Sequence, residues 1–215
     1  MAQLVVESSR TGRINESGDP GEAYLTVQQK ATGDSVADDG TTLQIGQEGV
    51  LLAGQEEYEV YRAVADFSLS SLPVNADITS VLLSLYHTAI YLSSDFDVTL
   101  VSAADIGATL VAADYGDLLD DTVSRGSITA STLVLDSYND ITLNATGVAD
   151  ILTAAGGTFR IAFRSSRDIS QTSPGVGATG VYHTEAAIFS GHSVTNKKPK
   201  LTINYVPFIP KIFYF

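Results

Sequence analysis

The chain has 215 residues, no cysteine, and 25 acidic against 12 basic side chains, for a formal net charge of −13. The lack of thiols removes disulfide frameworks, thiolate nucleophiles and cysteine metal sites, and a field of this sign repels nucleic-acid phosphates and anionic membrane surfaces. A hydrophobic fraction of 44%, only 17% charged residues, 18 Gly and 6 Pro describe a chain of strands and turns, long enough to bury one core without a metal or crosslink.

Residues 1–21 contain one short apolar run, Leu4–Val6, followed by Arg, Asn, Gly, Asp and Pro, and read as an N-terminal arm. No basic region leads into an apolar stretch there, so no secretory signal is expected. No run approaches the roughly 20 apolar residues of a membrane-spanning helix. The domain proper is expected over 22–206. Ala23–Val27 reads as a strand, Asp38-Asp39-Gly40 as a turn, and Thr42–Gly46 alternates with period two. Tyr58–Phe67 predicts a strand buried on one face, closed by Ser70–Pro73. Ile78–Leu92 has apolar residues on both sides and predicts a strand buried on both faces; Asp97–Val101 follows as another.

Between Leu110 and Asp121 the pattern loosens into alanines and acids and reads as a loop. Thr132–Leu135 and Asp140–Leu143 resume strand character. The period then lengthens: Thr146 is placed to cap a short helix through Val148, Ile151 and Leu152 that Gly156-Gly157 ends. Phe159–Arg164 alternates, which sends Phe159, Ile161 and Phe163 inward and Arg160, Ala162 and Arg164 outward. Ser170–Gly180 is a Gly- and Pro-rich surface loop, and Lys200–Val206 is the closing strand. About ten strands with short connections and one helix predict an all-β antiparallel sandwich of jelly-roll type.

Two stretches carry a family likeness: Tyr61–Pro73, and Ile78-Thr79-Ser80-Val81-Leu82-Leu83-Ser84-Leu85. Together they resemble the DNRLRE-type domain, a jelly roll related to carbohydrate-binding modules. Thr142–Gly147 lies where that family has an Asp-Val-Thr element, with Asn144 in place of the Asp. Lys198–Tyr205 is similar to its closing Arg-Pro-x-Leu-x-Val-x-Tyr strand. The likeness runs from about Ala23 to Val206, and the chain lacks the tryptophans common in the family. Members without a secretory signal look like virion structural proteins of tailed bacteriophages. The resemblance therefore implies a capsid decoration, fibre or tail part located in the virion. Its partners would be copies of itself and other virion proteins, such as a major capsid or tail protein. The alternative it implies is an extracellular carbohydrate-binding or lectin-like adhesion domain with glycans as ligands.

The residues that carry chemistry elsewhere give little here. His87, His183 and His192 have no metal-site spacing, and no glycine-flanked serine of the hydrolase type occurs, so no enzyme is expected. Asp38 with Asp39, Asp95 with Asp97, and Asp117 with Asp120 and Asp121 form acidic groups that suit solvated loops. Calcium is the hard ion such loops would take, but no ordered ligand series is visible, and no cofactor is expected. Tyr86, Tyr91, Tyr115, Tyr138 and Tyr182 are the candidates for a sugar platform. The most unusual segment is 207–215, which follows the closing strand. Seven of the ten residues from Val206 to Phe215 are large and apolar or aromatic, and each forfeits roughly 1.5–3 kcal/mol when left in water. Phe208, Ile209, Ile212, Phe213, Tyr214 and Phe215 are accordingly expected to form an interface with another molecule, the alternative being that the tail folds back on its own sandwich.

Overall fold

A computed structural model describes residues 1–38 and 40–207. In chain order the elements are β1 (Ala2–Ser17), α1 (Tyr24–Gln28), β2 (Ser35–Asp38), β3 (Thr42–Leu52), β4 (Gln55–Ser68), β5 (Asp77–Leu92), β6 (Asp97–Ser102), α2 (Asp114–Asp117), β7 (Gly126–Thr129), β8 (Tyr138–Thr142), α3 (Ala145–Thr153), β9 (Thr158–Ser165), α4 (Ser166–Ile169), β10 (His183–Ser190) and β11 (Lys200–Val206). All strand pairings are antiparallel. The architecture is the expected all-β sandwich, with four short helices among the described residues rather than one. Among the described residues no helix is long and apolar enough to cross a membrane.

The first sheet has the order β1–β11–β5–β8. The second is centred on β4, which pairs with β1 along 59–67, with β3 along 55–61 and with β9 along 63–68. β10 continues beyond β3, and β6 and β7 continue beyond β9. Two long strands serve both sheets. β1 pairs with β11 through residues 2–7 and with β4 from Ser8 onward, with an irregularity between Ser8 and Arg10. β5 pairs with β11 and β8 in its first half and with β10 in its second. The segment read as an arm is thus a sixteen-residue strand. Its polar residues misled because Arg10 and Glu16, which look like surface groups, are buried and paired.

Between the sheets lies the main core, which includes Ala63, Ala65 and Phe67 of β4, Val81, Leu83 and Leu85 of β5, and Phe159, Ile161 and Phe163 of β9. The inward set read from β9 is therefore correct. Its outward set is not: Ala162 and Arg164 are as buried as their neighbours. A second core covers the other face of the second sheet. There Ile14, Val60, Val64, Val101 and Ala162 meet Tyr24 and Val27 of α1 and Tyr115 and Leu118 at α2. The readings of β4 and β5 exchange places as a result. The later part of β4 is buried on both faces, whereas Leu82, Ser84 and Tyr86 of β5 stay partly exposed on the bare side of the first sheet.

Local departures follow from the same layering. Ala23–Val27 reads as a strand but forms α1, because the cover over the second core needs Tyr24 and Val27 on one face, a helical spacing. Thr132–Leu135 is not a strand; a 3-10 turn over Ala130–Thr132 leads into an irregular stretch in which Val134 and Leu135 are exposed. The 110–121 segment is a loop around the single turn α2. α3 lies where expected, yet its cap is Asn144, whose Oδ1 accepts from the Gly147 N–H at 3.1 Å, and not Thr146.

Candidate functional site

Three places hold the side chains with most chemical potential: a buried polar clamp, an acidic cleft, and the end of the sandwich where β11 finishes.

The clamp joins the cover to the second sheet. Asp168, in α4, is fully buried between Arg62 of β4 and Arg164 of β9, themselves 0% and 1% exposed. Arg62 donates through Nε and Nη2 to the two carboxylate oxygens at 2.9 and 2.8 Å, and Arg164 Nε donates to Asp168 Oδ2 at 2.8 Å. Further donors go to backbone carbonyls: Arg62 Nη1 to Tyr115 and Nη2 to Gln28, Arg164 Nη1 to Leu118, Leu119 and Asp121. The Arg62 guanidinium also lies 4.0 Å from the centre of the Tyr115 ring. Burial by itself would raise the Asp168 carboxyl, but the two guanidiniums outweigh it and hold that group well below the usual carboxylate range.

A second polar group continues the clamp. The Tyr24 hydroxyl donates to Gln47 Oε1 at 2.6 Å, and Gln47 Nε2 donates to the Thr172 carbonyl at 2.7 Å and to Glu185 Oε2 at 3.0 Å. Arg167 Nε stands 2.8 Å from the same Glu185 oxygen, and its Nη2 donates to the Ser173 carbonyl. Burial raises the Glu185 carboxyl despite Arg167 and Gln47. Gly46 makes this geometry feasible: at φ 144° a Cβ there would sit 1.9 Å from the Glu185 carbonyl oxygen. With Asp168 and Glu185 shut away from solvent, the clamp works as architecture, fastening α1, α2, α4 and the start of the 170–182 loop to the sheet.

The acidic cleft has a volume of about 730 Å³ and is lined by Asp105, Asp117, Asp120, Asp121, Val123 and Arg125, among others. Arg125 crosses it, 2.7 Å from Asp121 and 2.8 Å from Asp150. The structure thus gathers Asp117, Asp120 and Asp121 as the sequence grouped them. Among the described residues, no three His, Asp or Glu side chains are grouped so as to hold a metal ion. The other acidic groups accept internal hydrogen bonds. Asp95 accepts from the backbone N–H of Phe96 and of Ser131, and Asp97 from the Thr129 hydroxyl. Asp38 accepts from the Leu110 N–H, while Asp39 lies outside the described residues.

The tyrosines do not form one platform. Tyr115 is buried, and Tyr86 and Tyr138 meet edge to face at 5.4 Å with the Lys197 and Lys200 ammonium groups over their rings. Tyr91 and Tyr182 are more than half exposed. Of the histidines, His87 is buried with Nε2 2.9 Å from the Ala89 carbonyl, and His192 Nδ1 accepts from the Thr11 N–H.

At the end of the sandwich β11 finishes at Val206, opposite Asp77 of β5, and Tyr205 lies opposite Ala2 of β1. Met1, Val74 and Val206 are exposed there. The six residues expected to form an interface, Phe208, Ile209, Ile212, Phe213, Tyr214 and Phe215, lie outside the described residues. Arg62, Arg164 and Asp168 were missed by sequence reasoning. The available signal was an arginine against an apolar run in each of two strand stretches, Arg62 before Ala63-Val64-Ala65 and Arg164 after Ile161-Ala162-Phe163. No protein-family model matches the chain, and no curated protein matches it.

Proposed function

We propose that the protein is a non-enzymatic virion structural component of a tailed bacteriophage, a capsid decoration or a fibre or tail part, that attaches through the apolar segment 207–215. The observation that carries this reading is the position of β11. It is an inner strand, flanked by β1 and β5, whose Leu201 and Ile203 are already fully buried in the core. Both edges of β11 are thus taken within the described sandwich, and the chain then continues from an exposed end into Phe208–Phe215. Burying those side chains on another molecule recovers roughly 1.5–3 kcal/mol for each large one, enough in sum for stable attachment, while the strongly acidic body stays in solvent.

The test is a chain lacking 207–215, produced during particle assembly. Loss of the protein from purified particles is the expected result, with the truncated protein still folded by circular dichroism; full occupancy by the truncated form refutes the proposal. A second reading, a carbohydrate-binding or lectin-like domain acting outside the cell, is favoured by the two exposed rings of Tyr91 and Tyr182. A glycan array on the intact protein, repeated with both tyrosines changed to alanine, separates the readings: a saccharide signal that disappears in the variant supports the second.

A further inference from the structure

The first six residues of β1 and its neighbour define an open sheet edge. Ser8 donates its N–H to the Pro199 carbonyl at 2.9 Å, and Glu7 lies opposite Lys200. Antiparallel pairing alternates, so Leu4 and Val6 also direct their backbone groups at β11, and Gln3 and Val5 direct theirs the other way. Among the described residues no strand pairs with that outer side until β4 joins at Ser8. Chains protect such edges with Lys, Pro, bulges or inward charges. Residues 1–6, Met-Ala-Gln-Leu-Val-Val, have no charged side chain and no Pro in a chain of net charge −13. Val5 is 54% exposed, and Leu4 and Val6 are only partly buried where they meet the core.

We propose that this edge pairs with the same edge of a second copy, antiparallel about a two-fold axis at Leu4. The stretch is self-complementary in that register. Gln3 faces the second copy's Val5 and Val5 its Gln3, as bonded pairs that exchange about four backbone hydrogen bonds. On the core side Leu4 meets its own copy and Val6 meets Ala2, so the half-buried apolar side chains complete one another's cover, and the first sheets of the two copies become a single sheet. No like charges meet on the paired stretch, and the contact closes on itself as an isologous dimer. The proposal rests on β1 alone and stands or falls independently of the role given to 207–215.

Sedimentation equilibrium and native mass spectrometry of the full chain test it. The wild type is expected to be dimeric at high micromolar concentration. Gln3→Lys with Val5→Lys places like charges opposite each other on both sides of the axis, as does Gln3→Glu with Val5→Glu. Each double variant should be monomeric, weakened on the order of 100-fold or more, and correctly folded because both positions are exposed. An equimolar mixture of the two should recover a one-to-one heterodimer, and Gln3→Glu with Val5→Lys should dimerise by itself. A monomeric wild type, or like-charge variants that associate as the wild type does, overturns the proposal. Removal of 208–215 should leave the dimer unchanged. If that removal creates the dimer, the chain's own tail occupies the edge; if it abolishes the dimer, the second copy's tail does. Either result overturns the proposal.

Discussion

Asp168 shows how far a single charge can depend on its surroundings. Both of its oxygens are taken by guanidiniums with almost no exposure, so replacing it by Asn leaves two buried cations facing a neutral group. Asp168→Asn is expected to cost about 3–5 kcal/mol of unfolding free energy, read from urea titrations at neutral pH. The sign of the pH dependence follows from the lowered carboxyl. The native state binds fewer protons than the unfolded chain, so the stabilisation is complete above the unfolded value of about 3.9 and is lost as pH falls through the lower folded value. The gap between wild type and variant should therefore persist through mild acid and narrow only in strong acid. This residue was illegible in the sequence for a physical reason. Asp168 follows Ser165, Ser166 and Arg167, a solvated turn by any local measure, and only the cover folded over the second sheet turns it into an interior group. Phe159, Ile161 and Phe163 were legible because their alternation faces the side of the sheet that any sandwich buries.

At the scale of elements, the strands whose apolar residues recur along their whole length were the readable ones, although β5 was read as buried on both faces and keeps one face partly exposed. β5 and β11 begin and end within a residue of where the pattern places them, and β10, whose Glu185 breaks the apolar alternation from inside the clamp, went unnoticed. Short helices were least readable because α1, α2 and α4, of four or five residues, carry too little period to register. α3 is long enough, and the contest over its cap is decidable. Asn144 accepts from the Gly147 N–H, whereas the Thr146 side chain lies within the first turn. Asn144→Ala should cost about 1 kcal/mol and Thr146→Ala a few tenths at most, compared by thermal unfolding of the two variants; equal losses count against Asn144 as the cap.

At the scale of the whole molecule, two long strands make the sheets inseparable. β1 and β5 each belong to both, so neither sheet can detach while the other stays paired, and unfolding should be a single cooperative event. A chain ending at Pro199 lacks β11 and leaves residues 2–7 of β1 and the adjoining side of β5 without their partner. It is expected to show the exposed apolar surface and lost near-ultraviolet dichroism of a collapsed state, where retention of the native spectrum would show that β11 is dispensable. The pairing of Ala2 with Tyr205 also has a consequence in time. On a ribosome, residues 2–7 emerge about 200 residues ahead of the β11 residues they pair with. They must therefore wait through that stretch of translation before their neighbour exists, and the cell has to keep Ala2–Val6, which carry no charged side chain, from finding another nascent chain first.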